Sequence, residues 1–272
     1  MTFTILGTAA AEGWPALWCP CEACRRAREL GGKNIRRRTA YQLGEHIHVD
    51  FGPDSFAQML RFGLDYHRLE HLLITHSHAD HLCAQELHYR GEGFVAGPLR
   101  TLNIYGNATV GAKLAALEHP LEESRARFIE GEPFTPLDLG EGVTATPLVA
   151  DHAGEDEQAL IYLLEREGRA LLQANDTGIF PEVTWDFLAT KQLDVVVIEC
   201  TYGPQHGGRH HLGAGEVIEV RERLLRLGAL TPGARMIATH FSHNGGLLHE
   251  ELENLLATHE IEVAFDGMQL EL

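Results

Sequence analysis

Residues 72–81 read LLITHSHADH, a short apolar run followed at once by three histidines and one aspartate. The run 72–75 has the composition of a buried strand. His76, His78, Asp80 and His81 therefore place four potential metal ligands directly after a strand. Imidazole and carboxylate groups suit zinc, manganese or iron, and a single ion cannot easily use all four. We expect His76 and His78 to serve one ion and Asp80 and His81 a second; the alternative is a polar loop with solvated histidines.

Three further polar residues follow predicted strands later in the chain: His152, Asp176 and His240. Polar residues at strand ends are typical of functional sites, because loops carry the chemistry while the sheet beneath fixes its direction. His152 and His240 would complete the two ligand sets, although isolated histidines at such places are more often capping or surface residues. Asp176 would bridge both ions through its two oxygens, about 3.5 to 4 Å apart. The alternative for Asp176 is a turn or a helix N-cap.

Three of the five cysteines lie together in the segment CPCEAC at residues 19–24. Thiolates at this spacing suit a tetrahedral zinc ion if a fourth ligand comes from elsewhere, and His243 is the best donor. Cys19, Cys21, Cys24 and His243 are therefore predicted to hold a structural zinc. An iron–sulfur cluster would need a fourth cysteine, and the two remaining cysteines lack a companion at suitable spacing. The other alternative is three unligated thiols.

The composition limits the class of partner. The chain has 272 residues, is 44% hydrophobic and 22% charged, and carries a formal charge of −17. This charge disfavours long nucleic acid, and the one compact basic run, Arg36-Arg37-Arg38, is interpreted as a solvated loop that could meet a substrate phosphate. No apolar run is long enough to span a membrane, and residues 1–5 begin a strand without a signal sequence. We therefore expect no membrane partner and a cytoplasmic location.

The chain is interpreted as one domain, residues 1–272, because no linker, repeat or low-complexity stretch divides it. Apolar runs rich in β-branched residues predict strands at 2–5, 47–50, 72–75, 102–105, 143–148, 160–164, 171–173, 195–199, 235–239 and 262–265. Helical periodicity predicts helices at 55–62, 110–117, 181–189, 214–227 and 249–258. This distribution favours a layered α/β fold, with two sheets inside and helices outside.

The ligand pattern resembles the metallo-β-lactamase superfamily, whose H-x-H-x-D-H motif is matched by residues 76–81. In that superfamily a histidine, a bridging aspartate and a last histidine follow, and His152, Asp176 and His240 occur in this order. The resemblance implies an α/β fold of the αββα sandwich type with a binuclear site on one edge. Diiron redox members carry glutamate at the position of His78, so a hydrolase is implied.

A narrower resemblance, to the PhnP branch of this superfamily, extends over nearly the whole chain except residues 91–139. It rests on the motif above, on residues 6–15, on the cysteine segment 19–24, and on residues 239–243 and 265–268. The branch contains phosphodiesterases for cyclic phosphates such as phosphoribosyl 1,2-cyclic phosphate, and a homodimer is implied by the resemblance alone.

The same resemblance implies a catalytic histidine before a helix. His211 matches it best, although His210 is adjacent. Asp80 is expected to take part in catalysis as well as in metal binding.

The sequence thus predicts a hydrolase with two divalent ions, zinc or manganese, and one structural zinc. A hydroxide between the two ions would attack a small, preferably cyclic, phosphodiester, because metal binding lowers the pKa of water toward about 7. Two alternatives remain open: hydrolysis of a lactone or thioester by the same site, and a metal-dependent binding protein with little turnover, similar to PqqB proteins of coenzyme biosynthesis.

Overall fold

The computed structural model describes residues 1–272 and contains fourteen strands. The first six are β1 (Thr2–Gly7), β2 (Ala40–Leu43), β3 (Ile47–Val49), β4 (His71–Leu73), β5 (Leu102–Gly106) and β6 (Ala126–Glu130). The next seven are β7 (Leu137–Asp138), β8 (Val143–Val149), β9 (Leu160–Arg166), β10 (Arg169–Ala174), β11 (Leu193–Glu199), β12 (Leu230–Thr239) and β13 (Ile261–Val263). The last strand is β14 (Met268–Glu271).

These strands form two seven-stranded sheets. The first has the order β14-β1-β2-β3-β4-β5-β6, and the second has the order β13-β12-β11-β10-β9-β8-β7. β3 to β6 run parallel to one another, as do β10 to β13. Because β8 and β10 are both antiparallel to β9, the carboxyl ends of β8, β10, β11 and β12 meet at one edge.

Six α-helices cover the sheets: α1 (Glu22–Leu30), α2 (Ser55–Phe62), α3 (Ala108–Ala115), α4 (Glu182–Leu188), α5 (Ala214–Arg226) and α6 (His249–Leu256). Consecutive strand residues face opposite sides of a sheet, which assigns them to different cores. Leu73 and Val197 lie in the core between the sheets, whereas Leu72 packs with α3 residues and Val196 with residues of α4, α5 and α6. The arrangement is an αββα sandwich, so the predicted fold class is confirmed.

All ten predicted strands and all five predicted helices are present, with ends shifted by a few residues. The elements that the sequence did not predict are α1, β2, β6, β7 and β14. α1 buries only Ala23, Cys24 and Ala27, and such small side chains give a weak helical pattern. No helix in the structure combines the length and apolar character needed to cross a bilayer.

The basic triplet Arg36-Arg37-Arg38 is not a solvated loop, and that interpretation is wrong. Arg36 is 3% exposed and donates hydrogen bonds to a threonine hydroxyl and a backbone carbonyl. Arg37 pairs with Asp266 at 3.3 Å and Arg38 with Asp54 at 3.0 Å. Arg36 is buried and Arg37 and Arg38 are half-buried because each guanidinium finds its own acceptors, and a basic run in a sequence does not reveal those acceptors.

Candidate metal centre

The predicted ligands converge at the strand ends, as the topology requires. His76 follows β4, His152 follows β8, Asp176 follows β10 and His240 follows β12. His81 is brought to the same place because Phe51, two residues after β3, pairs its backbone with the segment that contains His81. The two sheets therefore deliver ligands to one edge of the sandwich.

The first group consists of His76, His78 and His152. The His76 Nε2 atom lies 2.9 Å from His78 Nδ1, and the candidate ligand atoms of all three residues lie within 4.8 Å of one another. His76 is buried, whereas His78 is exposed. Burial, together with the nearby His81, holds the pKa of His76 well below its usual range, which favours the neutral, metal-binding form.

The second group consists of Asp80, His81 and His240, whose ligand atoms also lie within 4.8 Å of one another. The His81 Nε2 atom is 3.0 Å from Asp80 Oδ2. Although burial opposes it, the charge of His81 holds the pKa of the Asp80 carboxyl below its usual range, so Asp80 stays ionised.

Asp176 lies between the two groups. Its Oδ2 atom is 2.9 Å from His81 Nε2 and 3.1 Å from His240 Nε2, while its Oδ1 atom is 3.7 Å from His152 Nε2. One carboxylate oxygen thus faces each group, which is the geometry expected of a bridging ligand. Burial opposes the charge of Asp176, but His240 and His81 outweigh it and hold its pKa well below the usual range.

The ring nitrogens of this centre are better placed to bind divalent ions than to form hydrogen bonds within the protein. The Nε2 atoms of His81, His152 and His240 are buried and have no hydrogen-bond partner. The Asp176 carboxylate lies 2.9 Å from His81 Nε2 and 3.1 Å from His240 Nε2, but neither contact is a hydrogen bond. Buried polar atoms without partners are costly, and a cation held by these lone pairs would remove the cost.

The other ring nitrogen, Nδ1, of each of these three histidines is hydrogen-bonded to an oxygen. His81 Nδ1 donates to Asp50 Oδ2 at 2.7 Å, and His152 Nδ1 donates to the His210 carbonyl at 3.1 Å. His240 Nδ1 lies 2.9 Å from the hydroxyl of Thr201. A carboxylate and a carbonyl can only accept, so Nδ1 of His81 and of His152 carries a proton. Although burial opposes it, the neighbouring carboxylates raise the pKa of His81 well above its usual range, so a bound cation would take the place of the second proton of His81, on Nε2.

Sequence reasoning missed Asp50, Thr201 and the His210 carbonyl. Asp50 is fully buried and accepts hydrogen bonds from the Thr75 amide at 2.9 Å and from the Thr75 hydroxyl. Asp50 directly follows a strand, and the rule applied to the other ligands would have found it. Thr201 and a backbone carbonyl have no signal of this kind.

The backbone at this edge adopts uncommon conformations. Asp50, Asp176 and His240 have φ angles of 60°, 54° and 55°, in the left-handed region that side chains other than glycine seldom occupy. Such residues cluster at functional sites, where surrounding contacts over-determine them. From this conformation Asp176 and His240 reach the centre, and Asp50 reaches the outer nitrogen of His81.

His211 lies beside both groups, with its ring centroid 4.8 Å from that of His152 and 5.8 Å from that of His240. Its Nδ1 atom is 2.9 Å from the carboxylate of Glu199, which is fully buried at the end of β11. Burial disfavours the charged imidazolium, but the hydrogen bond and charge of Glu199 outweigh it and raise the pKa of His211 to about 9. His210 instead faces Asp151, with 3.5 Å between Nδ1 and Oδ1.

Glu199 was not recognised from the sequence, although it ends a predicted strand. Its carboxylate accepts hydrogen bonds from the Thr177 amide at 2.7 Å, the Leu212 amide at 2.9 Å and the Thr201 hydroxyl at 2.6 Å. A buried carboxylate with this many donors is rigidly held. Glu199 therefore fixes the orientation of His211.

The second candidate site is the cysteine segment. The ligand atoms of Cys19, Cys21, Cys24 and His243 lie within 4.8 Å of one another, and Cys21 Sγ is 3.4 Å from His243 Nδ1. Burial opposes ionisation of Cys21, but the Cys24 amide and neighbouring side chains outweigh it and lower its pKa to about 7. Burial raises the pKa of Cys24 to about 11. His243 Nε2 faces Glu12, with 3.6 Å between Nε2 and Oε1.

A sandwich of two mixed sheets with histidine and aspartate ligands at one edge defines the metallo-β-lactamase class of fold. Residues 45–241 match the family model of the beta-lactamase superfamily domain. The chain therefore belongs to this superfamily, whose members usually bind divalent metal ions.

The chain is also similar over its whole length to individual proteins. It is 26% identical to the coenzyme PQQ synthesis protein B of Methylococcus capsulatus, with 100% of both chains covered. A diphosphatase of the PhnP family has a TM-score of 0.76 at 22% identity, covering 100% of this chain and 96% of that one. The Zn²⁺-bound PqqB of Methylobacterium extorquens has a TM-score of 0.77 at 17% identity, covering 100% of both. The two likenesses to solved structures establish the fold.

Proposed function

We propose that the protein is a metal-dependent phosphodiesterase that hydrolyses small, preferably cyclic, phosphodiesters. One observation carries the proposal: Asp176 directs one oxygen to each of two ligand groups, with the His211–Glu199 pair beside them. The two groups would each hold a divalent ion, and such ions, when bound, would lower the pKa of a water and neutralise phosphoryl oxygens.

The residues of the chain give this centre fixed geometry. Asp50 and the His210 carbonyl each hold Nδ1 of a ligand histidine, so neither ring can turn away from the centre. Asp80 and Asp176 remain ionised and present negative charge to bound cations. Asp80 is proposed to contribute to catalysis in this way.

His211 is proposed to protonate the leaving group. Glu199 occupies its Nδ1 atom, so Nε2 is the nitrogen free to donate a proton to a departing alkoxide. The raised pKa keeps the imidazolium populated at neutral pH, and its positive charge would also stabilise charge that develops on the leaving oxygen.

The overall charge of −17 supports a small substrate over a long polyanion, because repulsion grows with each phosphate. The similarity to a PhnP-family diphosphatase supports hydrolysis at phosphorus. Hydrolysis of a lactone or thioester is the alternative use of the same groups.

The test is a panel of small cyclic phosphodiesters, linear phosphodiesters, lactones and thioesters, assayed with zinc and with manganese. We expect the cyclic phosphodiesters to have the highest kcat/KM. A lactone or thioester turned over far faster than every phosphodiester would overturn the proposal.

A second candidate is a metal-dependent binding protein with little turnover. It is supported by the full-length similarity to a PQQ synthesis protein B and by the Zn²⁺-bound PqqB fold. The complete set of ligands around Asp176 favours the hydrolase. Metal analysis separates the two: two ions per chain outside the cysteine site support the hydrolase, and one ion with no turnover supports the binding protein.

A further inference from the structure

Ser77 lies between the ligands His76 and His78, and its backbone is held from outside the motif. Its amide donates to Glu157 Oε1 at 2.7 Å and its hydroxyl donates to Glu157 Oε2 at 2.8 Å. The Lys113 ammonium donates to the Ser77 carbonyl. The amide, the carbonyl and the hydroxyl of Ser77 are therefore all fixed by residues far away in sequence.

Glu157 is itself held firmly. Glu157 is only 9% exposed, and Asn107 Nδ2 donates a hydrogen bond to Glu157 Oε1 at 2.8 Å. The same Asn107 nitrogen donates to the Gln158 carbonyl at 2.8 Å, while Asn107 Oδ1 accepts from the Val110 amide at the start of α3. Asn107, at the start of α3, thus fixes Glu157, and Lys113 of α3 holds the Ser77 carbonyl.

Glu157 also follows the third ligand of the first group, His152, in the same loop. Its carboxylate therefore joins the segment that carries His76 and His78 to the segment that carries His152. We propose that Glu157 is a positioning residue that sets the affinity of the first metal group alone. This inference rests on the metal centre of the proposed function and adds the residue that controls one half of it.

The second group has separate supports. Asp50 holds His81, and Thr201 holds His240. Neither support contacts Glu157, whose partners are Ser77 and Asn107. Loss of Glu157 should therefore disturb one ligand group and leave the other intact.

The experiment measures Zn²⁺ affinity of the full chain by competition with a chromophoric chelator. Glu157→Ala is compared in two backgrounds: His240→Ala, which disables the second group, and His78→Ala, which disables the first. We expect Glu157→Ala to weaken the remaining site about 10- to 100-fold in the His240→Ala background, as is usual for partners of metal ligands. In the His78→Ala background we expect little change.

Two further variants control for folding and charge. Glu155→Ala removes an exposed carboxylate from the same loop and should leave both affinities unchanged. Glu157→Gln keeps one acceptor oxygen and should give an intermediate loss. Co²⁺ binding at the cysteine site, followed by its thiolate-to-metal absorption, shows that each variant is folded.

Equal weakening in both backgrounds, or none in the His240→Ala background, would overturn the inference. A parent chain that binds no ion at either group would remove both the inference and the proposed function. A parent chain that binds two ions but hydrolyses no phosphodiester would remove the proposed function only, because the titration needs no substrate.

Discussion

Replacing the buried Glu199 by glutamine is expected to shift the basic limb of the pH–rate profile to lower pH. Although burial opposes it, Glu199 is the main cause that raises the pKa of His211 to about 9, with smaller contributions from Asp176 and Asp80, so without the charge of Glu199 the pKa should fall toward its ordinary value of 6.5. The shift is at most roughly 2.5 pH units, which corresponds to about 3 kcal/mol between the two protonation states. The sign follows directly: a lower pKa means that the imidazolium is lost at a lower pH.

At about pH 7.5 the protonated fraction of His211 would fall from nearly all to roughly one tenth. The loss of kcat/KM should therefore be about tenfold at this pH, larger at pH 8.5 and small at pH 6. It should appear with a cyclic phosphodiester whose leaving group is an alkoxide. It should be much smaller with bis-p-nitrophenyl phosphate, because that leaving group needs little protonation.

The matched control is His210→Asn, because the His210 side chain faces Asp151 while its carbonyl, which holds His152, is kept. This variant should retain the parental basic limb. A Glu199→Gln profile with an unmoved basic limb, or equal losses with both substrates, would refute the role of the His211–Glu199 pair. Melting temperatures of both variants check that the fold is intact.

Three further predictions concern the metal sites and acid stability. Asp176→Ala should lower turnover by orders of magnitude while leaving the circular dichroism spectrum unchanged, and full activity would exclude a bridging role. Cys21→Ser should lower the metal content by one ion per chain after dialysis and reduce Tm, because a structural zinc stabilises the folded state; an unchanged metal count would exclude the site. Burial lowers the pKa of His48 to about 3, so its contribution to stability is present above pH 6.5 and lost as the pH falls toward 3. We therefore measure the free energy of urea unfolding of the metal-free protein at pH 7 and at pH 4. The decrease from pH 7 to pH 4 should be smaller in His48→Phe than in the parent by on the order of 3 kcal/mol. An equal decrease in both proteins would contradict this.

The candidate metal ligands could be located from the sequence because each is a ligand type placed where a strand ends. Chain topology then brings strand ends together, so the sequence position of Asp176 or His240 already implies a shared edge. The same logic extends to Asp50 and Glu199, which end strands that the sequence also predicts. Their role was missed because carboxylates are common and a single one has little weight.

Other parts of the site could not be predicted because they depend on tertiary contacts. The Ser77–Glu157 contact joins residues 80 positions apart, and nothing in either segment indicates the partner. The hydroxyl of Thr201 and the carbonyl of His210 are groups that almost any sequence offers. The burial of Arg36 likewise depends on acceptors that only the folded chain assembles.

The left-handed backbone at Asp50, Asp176 and His240 implies a trade-off between stability and function. Non-glycine residues in sparsely populated conformations cost of order 1–3 kcal/mol each. Glycine at position 176 would relieve the backbone cost at that residue. A descendant of this protein released from selection for catalysis would therefore gain stability by losing its centre, and glycine at such a position would mark the loss in an evolving lineage.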